Sequence, residues 1–388
     1  MKMEYRLEEI FDLQMGKTPS RNNPDYWNTT DNKWISIADL SKCGKYIEST
    51  KEYLSDQAVE ESGISQIPEN TVVMSFKLSI GKTAITPEPM YSNEAIMSFR
   101  DKEVVDILPD YIFYMFSGKD WDEGTNKAVM GKTLNKATLS KIRVKIPDIK
   151  VQKNVVAILD KVSNIIADRK AELEKMDDLI KARFVELFGT PLENENNWSV
   201  KRAGDVCVIT DGSHFSPEGI DKGYPMLSVR NMRNDGFHYD GCKLVSQEDY
   251  ELLVKQGCKP LKDDVLIAKD GSYFYYGFVV KEEIEQAVLS SIAILRPDKE
   301  QVNPEFLCKY MLSSEIVDLV GKNYVTGAAI KRVILKGIKQ IPIMLPPLEL
   351  QNEFANFVHQ VDKSKVVVQK ALDEAQLLFD SLMQKYFG

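Results

Sequence analysis

Apolar residues recur every seven positions along two stretches of the chain, and this spacing predicts two long helices. In the first stretch Leu159, Ile166, Leu173, Ile180 and Leu187 fall seven apart, with Val162 and Met176 interleaved and Arg169 and Arg183 as exceptions. In the second, Val358, Lys365, Leu372, Phe379 and Tyr386 fall seven apart, interleaved with Val361, Val368, Ala375 and Leu382. This is a heptad seam sustained over about four to five repeats. Neither stretch holds an internal Pro or Gly; each follows a proline and stops at a glycine. About 38 residues rising 1.5 Å each make a rod of roughly 57 Å. A seam left in water would be a large apolar surface, so the two helices most simply bury it against each other. Two core helices of an ordinary globular domain are the alternative.

The two stretches are copies. A shift of 199 residues carries Ile146-Pro147 to Leu345-Pro346, Gln152 to Gln351, and Leu187-Phe188-Gly189 to Tyr386-Phe387-Gly388. Upstream the halves keep matching. Leu7 to Leu13 aligns with Val200 to Val206, and Gly16-Lys17-Thr18-Pro19-Ser20 with Gly212-Ser213-His214-Phe215-Ser216. Thr71 to Ser75 aligns with Asp264 to Ala268, Ala95 to Arg100 with Ser291 to Arg296, and Pro109 to Ile112 with Pro304 to Leu307. Short β-branched and aromatic runs bounded by Gly, Asn, Asp and Pro predict strands, and Pro109 and Pro304 each suit a first helical turn. The expected organisation is a globular domain at 1–145, a helix at 146–189, a polar linker at 190–197, a second domain at 198–344 and a second helix at 345–388. Helices of two tandem units that pair antiparallel would relate the units by a pseudo-twofold axis. Duplex DNA has local twofold symmetry too, and twin readers on it sit about one helical turn (34–36 Å) apart.

Composition narrows the class. With 43% hydrophobic and 28% charged residues the chain reads as soluble and globular. Its start has no apolar core of a signal peptide, and no apolar run approaches the ~18 residues of a membrane span. Five scattered cysteines and three distant histidines make no zinc pattern. A reduced, cytoplasmic protein is the expectation. The net charge of −8 argues against non-specific coating of nucleic acid but leaves local basic loops free to bind it.

Catalytic motifs are near misses. Gly-Lys-Thr occurs at Gly16, Gly81 and Gly131, but Phe11, Phe76 and Asn126 stand where a P-loop needs its first glycine. Asn23-Pro24-Asp25-Tyr26 approaches the base-gripping Asn-Pro-Pro-Tyr of adenine methyltransferases, with Asp in place of the second Pro and no Gly-x-Gly cofactor loop in the chain. Asp148-x-Lys150, a fragment of a metal-nuclease pattern, becomes Pro347 and Glu349 in the second copy. His214, His238 and His359 have no nucleophile at suggestive spacing.

Several stretches carry a family resemblance. Gly16-Lys17-Thr18-Pro19-Ser20-Arg21, then Asp25-Tyr26-Trp27 and Trp34 to Leu40, resembles the start of a target recognition domain of the specificity (S) subunits of type I restriction–modification systems. Val73 to Phe76 followed by Ile80 to Ile85 resembles that domain's later strand–loop–strand, and the two Gln-bearing helix heads with their Phe-Gly endings resemble the family's helical repeats. The resemblance spans the chain. The second domain departs from it at Gly212-Ser213-His214 and at Tyr276-Gly277-Phe278.

The resemblance implies a mixed α/β fold: two tandem recognition domains separated by two long helices in an antiparallel coiled coil, with a pseudo-twofold internal repeat. It implies a non-catalytic reader of double-stranded DNA that binds two methyltransferase (M) subunits and is joined by restriction/translocase (R) subunits, with no membrane. No cofactor of its own is expected; S-adenosylmethionine, ATP and Mg belong to the partners. Each domain would read one half of a bipartite target, and the helices would set the spacer. Loop Arg, Lys, Asn, Ser and Thr residues are the types that contact phosphates and base edges. They single out Lys17, Thr18, Ser20, Arg21, Lys77, Ser79, Lys82, Lys127, Lys132 and Asn135 in the first domain. In the second they are Ser213, His214, Arg230, Asn231, Arg233, Lys269, Ser272, Tyr273, Lys331 and Arg332. Flanking the helix seams, Ile158, Ile165, Leu179, Phe357, Ala371 and Leu378 form a second apolar stripe suited to partner helices. A specificity subunit of a methyltransferase-only system fits the same residues. A scaffold whose coiled coil joins two modules that do not bind DNA is the rival from another class.

Overall fold

The structure, a computed structural model, describes residues 3–77, 79–121, 126–128, 131–327 and 331–388; of 126–128 and 131–133 it describes the backbone alone. The chain divides into two compact units, one of Met1–Lys170 with Lys370–Gly388, the other of Ala171–Gln369.

In the first unit, strands β1 (Met3–Arg6), β2 (Phe11–Met15), β3 (Asn32–Ile35), β4 (Glu52–Leu54), β5 (Val72–Ser75), β6 (Thr83–Ile85), β7 (Tyr91–Ser92), β8 (Ile96–Asp101), β9 (Asn126–Ala128), β10 (Gly131–Thr133) and β11 (Arg143–Ile146) alternate with short helices. Those helices are α1 (Leu7–Ile10), α2 (Ile37–Leu40), α3 (Asp56–Ser62), α4 (Pro109–Gly118) and α5 (Lys136–Ser140). The main sheet has the order β2-β8-β5-β6 and is antiparallel throughout. A second sheet, β4-β3-β7, pairs β3 with β7 in parallel. Strand β1 pairs with β11, so the chain's first strand lies beside the one that leads into the long helix. Strand β5 reads as an unbroken apolar run because both its faces are covered: Val72 and Met74 enter the core with Phe11, Phe99 and Phe116, while Val73 packs on the other face with Ile35 and Ile96.

The second unit repeats this plan. Its strands are β12 (Ser199–Arg202), β13 (Cys207–Asp211), β14 (Tyr224–Leu227), β15 (Lys243–Val245), β16 (Val265–Ala268), β17 (Gly277–Val279), β18 (Ala287–Val288), β19 (Ile292–Pro297), β20 (Val325–Thr326), β21 (Arg332–Val333) and β22 (Pro342–Leu345). Sheets β13-β19-β16-β17, β15-β14-β18 and β12-β22 reproduce the order of the first unit. Central strand β16 is again shared, Val265 and Ile267 facing one core and Leu266 and Ala268 the other. The structure corrects one alignment. Leu7 corresponds to Ala203 rather than to Val200, because Leu7 N donates to Ile142 O as Ala203 N donates to Ile341 O. Both residues open a one-turn helix, and the apolar pattern by itself tolerates the three-residue slip.

The second unit's shorter helices are α7 (Ala203–Val206), α8 (Gln247–Lys255), α9 (Pro304–Met311), α10 (Ser314–Asn323) and α11 (Leu335–Ile338). Helix α6 (Ile149–Phe188) and helix α12 (Leu348–Phe387) are each 40 residues long, or roughly 60 Å. Gly189 ends α6 in the left-handed region at φ +79°, where a side chain would be strained. Neither helix belongs to one unit. The head of α6 and the tail of α12 lie in the first; the tail of α6 and the head of α12 lie in the second. The seam positions Leu159, Val162, Ile166, Leu173, Met176, Ile180, Leu187, Val358, Val361, Val368, Leu372, Phe379 and Leu382 are all buried or half-buried. The seam's ends merge into the globular cores. Leu159 joins the first core, with Phe379 and Leu382 packed against it, and Ile180, Val358 and Val361 join the second. Two charged exceptions find partners: Lys365 pairs with Asp177, and Arg183 with Glu186 at 2.8 Å and Glu353 at 2.7 Å.

The repeated glutamines join helix to domain. Gln152, fully buried, accepts from Leu108 N at 2.9 Å and donates to Asp106 O at 2.9 Å and Pro147 O at 2.8 Å. Gln351, also fully buried, accepts from Asn303 N at 2.8 Å and donates to Gln301 O at 3.2 Å and Pro346 O at 2.8 Å. Each amide, itself out of contact with water, satisfies three backbone groups. Replacing Gln351 with Leu strands them, and one unpaired buried group costs about 1–3 kcal/mol. We expect Gln351→Leu to lower the stability of the second unit by about 2–3 kcal/mol, read as a smaller urea midpoint for the unfolding of that unit. A loss under about 0.5 kcal/mol would remove this role.

Candidate nucleic-acid interface

Strand pairing gathers the loops. In the first unit β2 and β5 both run antiparallel to β8, so they run parallel to each other. Their C-terminal ends, and the loop residues 16–21, 76–77 and 79–82 that follow, therefore emerge at one end of the sheet. Gly16 makes the first turn possible, since a Cβ there would lie 2.1 Å from Ser92 O. Its counterpart Gly212 stands equally close to Val288 O. Lys17 N donates to Ser92 O at 2.8 Å, and Lys17 O accepts from Trp34 Nε1 at 3.1 Å.

Beyond that anchor the side chains are held by carboxylates and rings. Arg21 pairs with Glu52 through both terminal nitrogens, at 2.5 and 3.1 Å, and lies over Trp27 at 3.7 Å and Trp34 at 4.9 Å from the ring centres. The Thr18 hydroxyl donates to Glu94 and holds that carboxyl below the usual carboxylate range; the charges of Lys77 and Arg21 act in the same sense, against partial burial. Lys17 Nζ donates to Ser62 O. Ser20 is exposed and its carbonyl accepts from Trp27 Nε1 at 3.0 Å. Ser79 and Lys82 are exposed, Lys77 half-buried. The Asn135 side chain caps α5 by accepting from Thr138 N at 2.8 Å. The side chains of Lys127 and Lys132 lie outside the described residues.

The second unit brings its loops together in the same way, since β13 and β16 are both antiparallel to β19. Arg233 links a further loop to this end, its guanidinium 5.6 Å from the Tyr276 ring centre and donating to Met232 O at 2.7 Å. Asn231 is engaged in its own turn, accepting from Ser228 N at 3.1 Å. Arg230, Lys331, Ser272 and His214 are exposed. Two expected contact residues lie inward instead. Ser213 is buried, its hydroxyl closing a turn with Phe215. Lys269 is only 6% exposed, with Asp211 and Asp270 each 3.4 Å from its Nζ. Tyr273 is half-buried beside Tyr275 and Tyr276 in a shallow hollow of about 330 Å³. Sequence reasoning missed Asp211, Asp270, Glu52 and Glu94. An acidic residue gives no local sign that it will hold a distant cation.

Other features sit elsewhere. An open hollow of about 650 Å³ lined by Asp101, Glu103 and Asp106 lies where β8 ends, at the opposite end of the sheet from the basic loops. On the long helices Ile158, Ile165, Leu179 and Leu378 are exposed, whereas Phe357 is half-buried and packs on the second core. Ala371 is half-buried. Another interaction ties the first domain to α6: Lys45 meets Asp110 and, at 2.8 Å, Asp160, which also accepts from Tyr114 at 2.6 Å. Burial and that carboxylate push the Tyr114 phenol up. Among the described residues no cluster of His, Cys, Asp or Glu is arranged to hold a metal, and no helix is long and apolar enough to cross a membrane.

Comparison with known proteins matches the model described as "Type I restriction modification DNA specificity domain" twice, over residues 2–175 and 195–375. The type I restriction enzyme MjaIX specificity subunit of Methanocaldococcus jannaschii is 21% identical over 407 aligned residues, covering 98% of this chain and 91% of that protein. The EcoprrI specificity subunit of Escherichia coli is 25% identical over 227 residues, 55% of this chain and 56% of that protein. Among solved structures, the type I system S subunit from M. genitalium superposes with a TM-score of 0.57 at 11% identity, covering 100% of this chain and 96% of its own. A chain from a type I R-M system solved for its complex assembly and conformational transition gives 0.58 at 16% identity, covering 100% and 97%. These likenesses establish a shared fold.

Proposed function

The chain belongs to the type I restriction modification DNA specificity family, and from that premise we propose that it is the non-catalytic, DNA-reading subunit of a type I restriction–modification complex. The observation that carries this reading is the duplication. Two units of one topology each gather basic loops at the same end of an equivalent sheet, and each unit takes the head of one long helix and the tail of the other. In this reading the two long helices pair as an antiparallel coiled coil. Each unit then reads one half of a bipartite duplex target, and the roughly 60 Å rods set the spacer. The loop sequences differ between units, so the two half-sites differ.

Phosphate contacts position such a reader and base-edge contacts give it sequence preference. Exposed Lys17, Lys82, Arg230 and Lys331 suit the first task. The exposed apolar positions Ile158, Ile165, Leu179 and Leu378 form the docking stripe for two methyltransferase subunits, which bring S-adenosylmethionine. Restriction subunits bring ATP and Mg. The chain supplies position and no chemistry, and acts in the cytoplasm beside the host DNA.

A native-DNA methylation map of host cells with and without the gene tests the proposal. Deletion is expected to erase one bipartite adenine-methylated motif and no other. An unchanged map, with a chain that is expressed yet co-purifies with no methyltransferase, would refute it.

A further inference from the structure

Beneath the loops of the second unit lies a row of alternating basic and acidic side chains. His214 Nε2 is 3.4 Å from Asp211, Asp211 is 3.4 Å from Lys269, Lys269 is 3.4 Å from Asp270, and Asp270 Oδ2 is 3.7 Å from Arg332 Nε. The middle three side chains are 8–16% exposed; the end groups reach solvent, Arg332 at 58% and His214 at 79%. The backbone fixes the arrangement. Asp270 and Arg332 form a β-bridge, and Val333 N donates to Lys269 O at 2.9 Å.

The first unit builds the same spot without the two aspartates, and Lys77 stands where Asp270 does. Phe76 occupies the place of Lys269: Leu134 N donates to Phe76 O as Val333 N does to Lys269 O, and Phe76 N donates to Ala95 O as Lys269 N does to Ser291 O. Met15 stands opposite Met97 where Asp211 stands opposite Ala293. An apolar ring, buried in the first core, therefore fills the place of Lys269 in the first unit. A buried ion pair gives no stability advantage over well-packed apolar groups, so packing does not account for the ions in the second unit.

The geometry points to a positioning role: Asp270, steadied by Lys269, fixes the Arg332 guanidinium so that it reads a guanine in the half-site of the second unit. Asp270 Oδ2 approaches the Nε side at 3.7 Å, an ion pair longer than a hydrogen bond, and makes no hydrogen bond to the two terminal nitrogens of this 58%-exposed side chain. Among the described residues neither of them has a hydrogen-bond partner. Such a fork matches guanine O6 and N7 in the major groove. A lysine offers a point charge instead and cannot reproduce it. This inference rests on the DNA-reading function proposed above.

The test uses the full chain with the methyltransferase that co-purifies with it, expressed in a host lacking adenine methylation, and reads the methylated motif base by base. Arg332→Lys and Asp270→Asn are expected to relax the same single base pair, a guanine in one half-site, by roughly 10- to 100-fold in discrimination. The other half-site stays sharp and thermal stability of Arg332→Lys stays unchanged. An unaltered motif with Arg332→Lys overturns the inference, as does a uniform loss across all positions, which marks a phosphate contact. A folded Asp270→Asn complex that writes an unaltered motif overturns the positioning role; should that variant fail to fold, Asp270→Glu takes its place in the same measurement. If the unsubstituted complex writes no bipartite adenine motif, the DNA-reading function itself fails.

Discussion

Replacing Phe188 with alanine is expected to lower the stability of the second unit by about 3–5 kcal/mol, the range for truncating a buried Phe. Phe188 is fully buried, its ring 4.8 Å from Phe306, 5.0 Å from Phe184 and 5.5 Å from Phe354. Aromatic pairs of this kind add about 0.5–1.5 kcal/mol each beyond burial. The cluster draws on the tail of α6, the head of α12 and α9 (Pro304–Met311), so its loss loosens three elements together. The equivalent Phe387 is half-buried against Tyr111, and Phe387→Ala should cost less, about 1–2 kcal/mol. Two units need not unfold together, so a local reporter is needed. Trp198 serves: its indole N–H donates to Phe188 O at 3.1 Å, and the other tryptophans, Trp27, Trp34 and Trp121, lie in the first unit. Denaturant unfolding followed at Trp198 should shift strongly for Phe188→Ala. A shift worth less than about 1 kcal/mol would show that the cluster does not hold the helix tail.

Exchanging residues 1–145 for the recognition domain of another family member should change one half of the methylated target and leave the other half intact. The prediction follows from the repeated sheets, each carrying its own loops. The structure adds a condition. Phe379, Leu382, Met383, Tyr386 and Phe387 of α12 pack against the first core, with Phe387 5.4 Å from Tyr111 and Phe379 6.3 Å from Tyr114. An exchange that ignores 379–387 leaves that apolar surface mismatched, so the donor's matching helix residues belong in the exchange. Methylation mapping of the hybrid complex is the readout. A change in both half-sites would refute the one-domain, one-half-site reading.

The long helices were legible because their signal is local. A heptad repeat survives whatever the helix packs against, and glycine at 189 and proline at 147 and 346 mark its limits. The repeat was legible for the same reason, except across Leu7 to Leu13, where only backbone pairing with Ile142 and Ile341 fixes the register. The loop residues were identifiable by type but not by role. Lys269 and Arg332 look alike as loop cations, yet one is buried between two carboxylates and the other faces solvent. Asn135 and Asn231 look like base readers, yet their side chains also accept from Thr138 N and Ser228 N.

The sequence by itself determined two copies of one plan, each ending in a long helix, because periodicity and repetition are written along the chain. Only the tertiary structure decided which loops share a sheet end, which cations are neutralised, and how the helix ends are divided between the units. Those outcomes depend on strand pairings and ion pairs between residues tens to hundreds of positions apart, such as Lys45 with Asp160 and Arg183 with Glu353. No local pattern encodes them, because each partner is favourable only once the other has been brought to it.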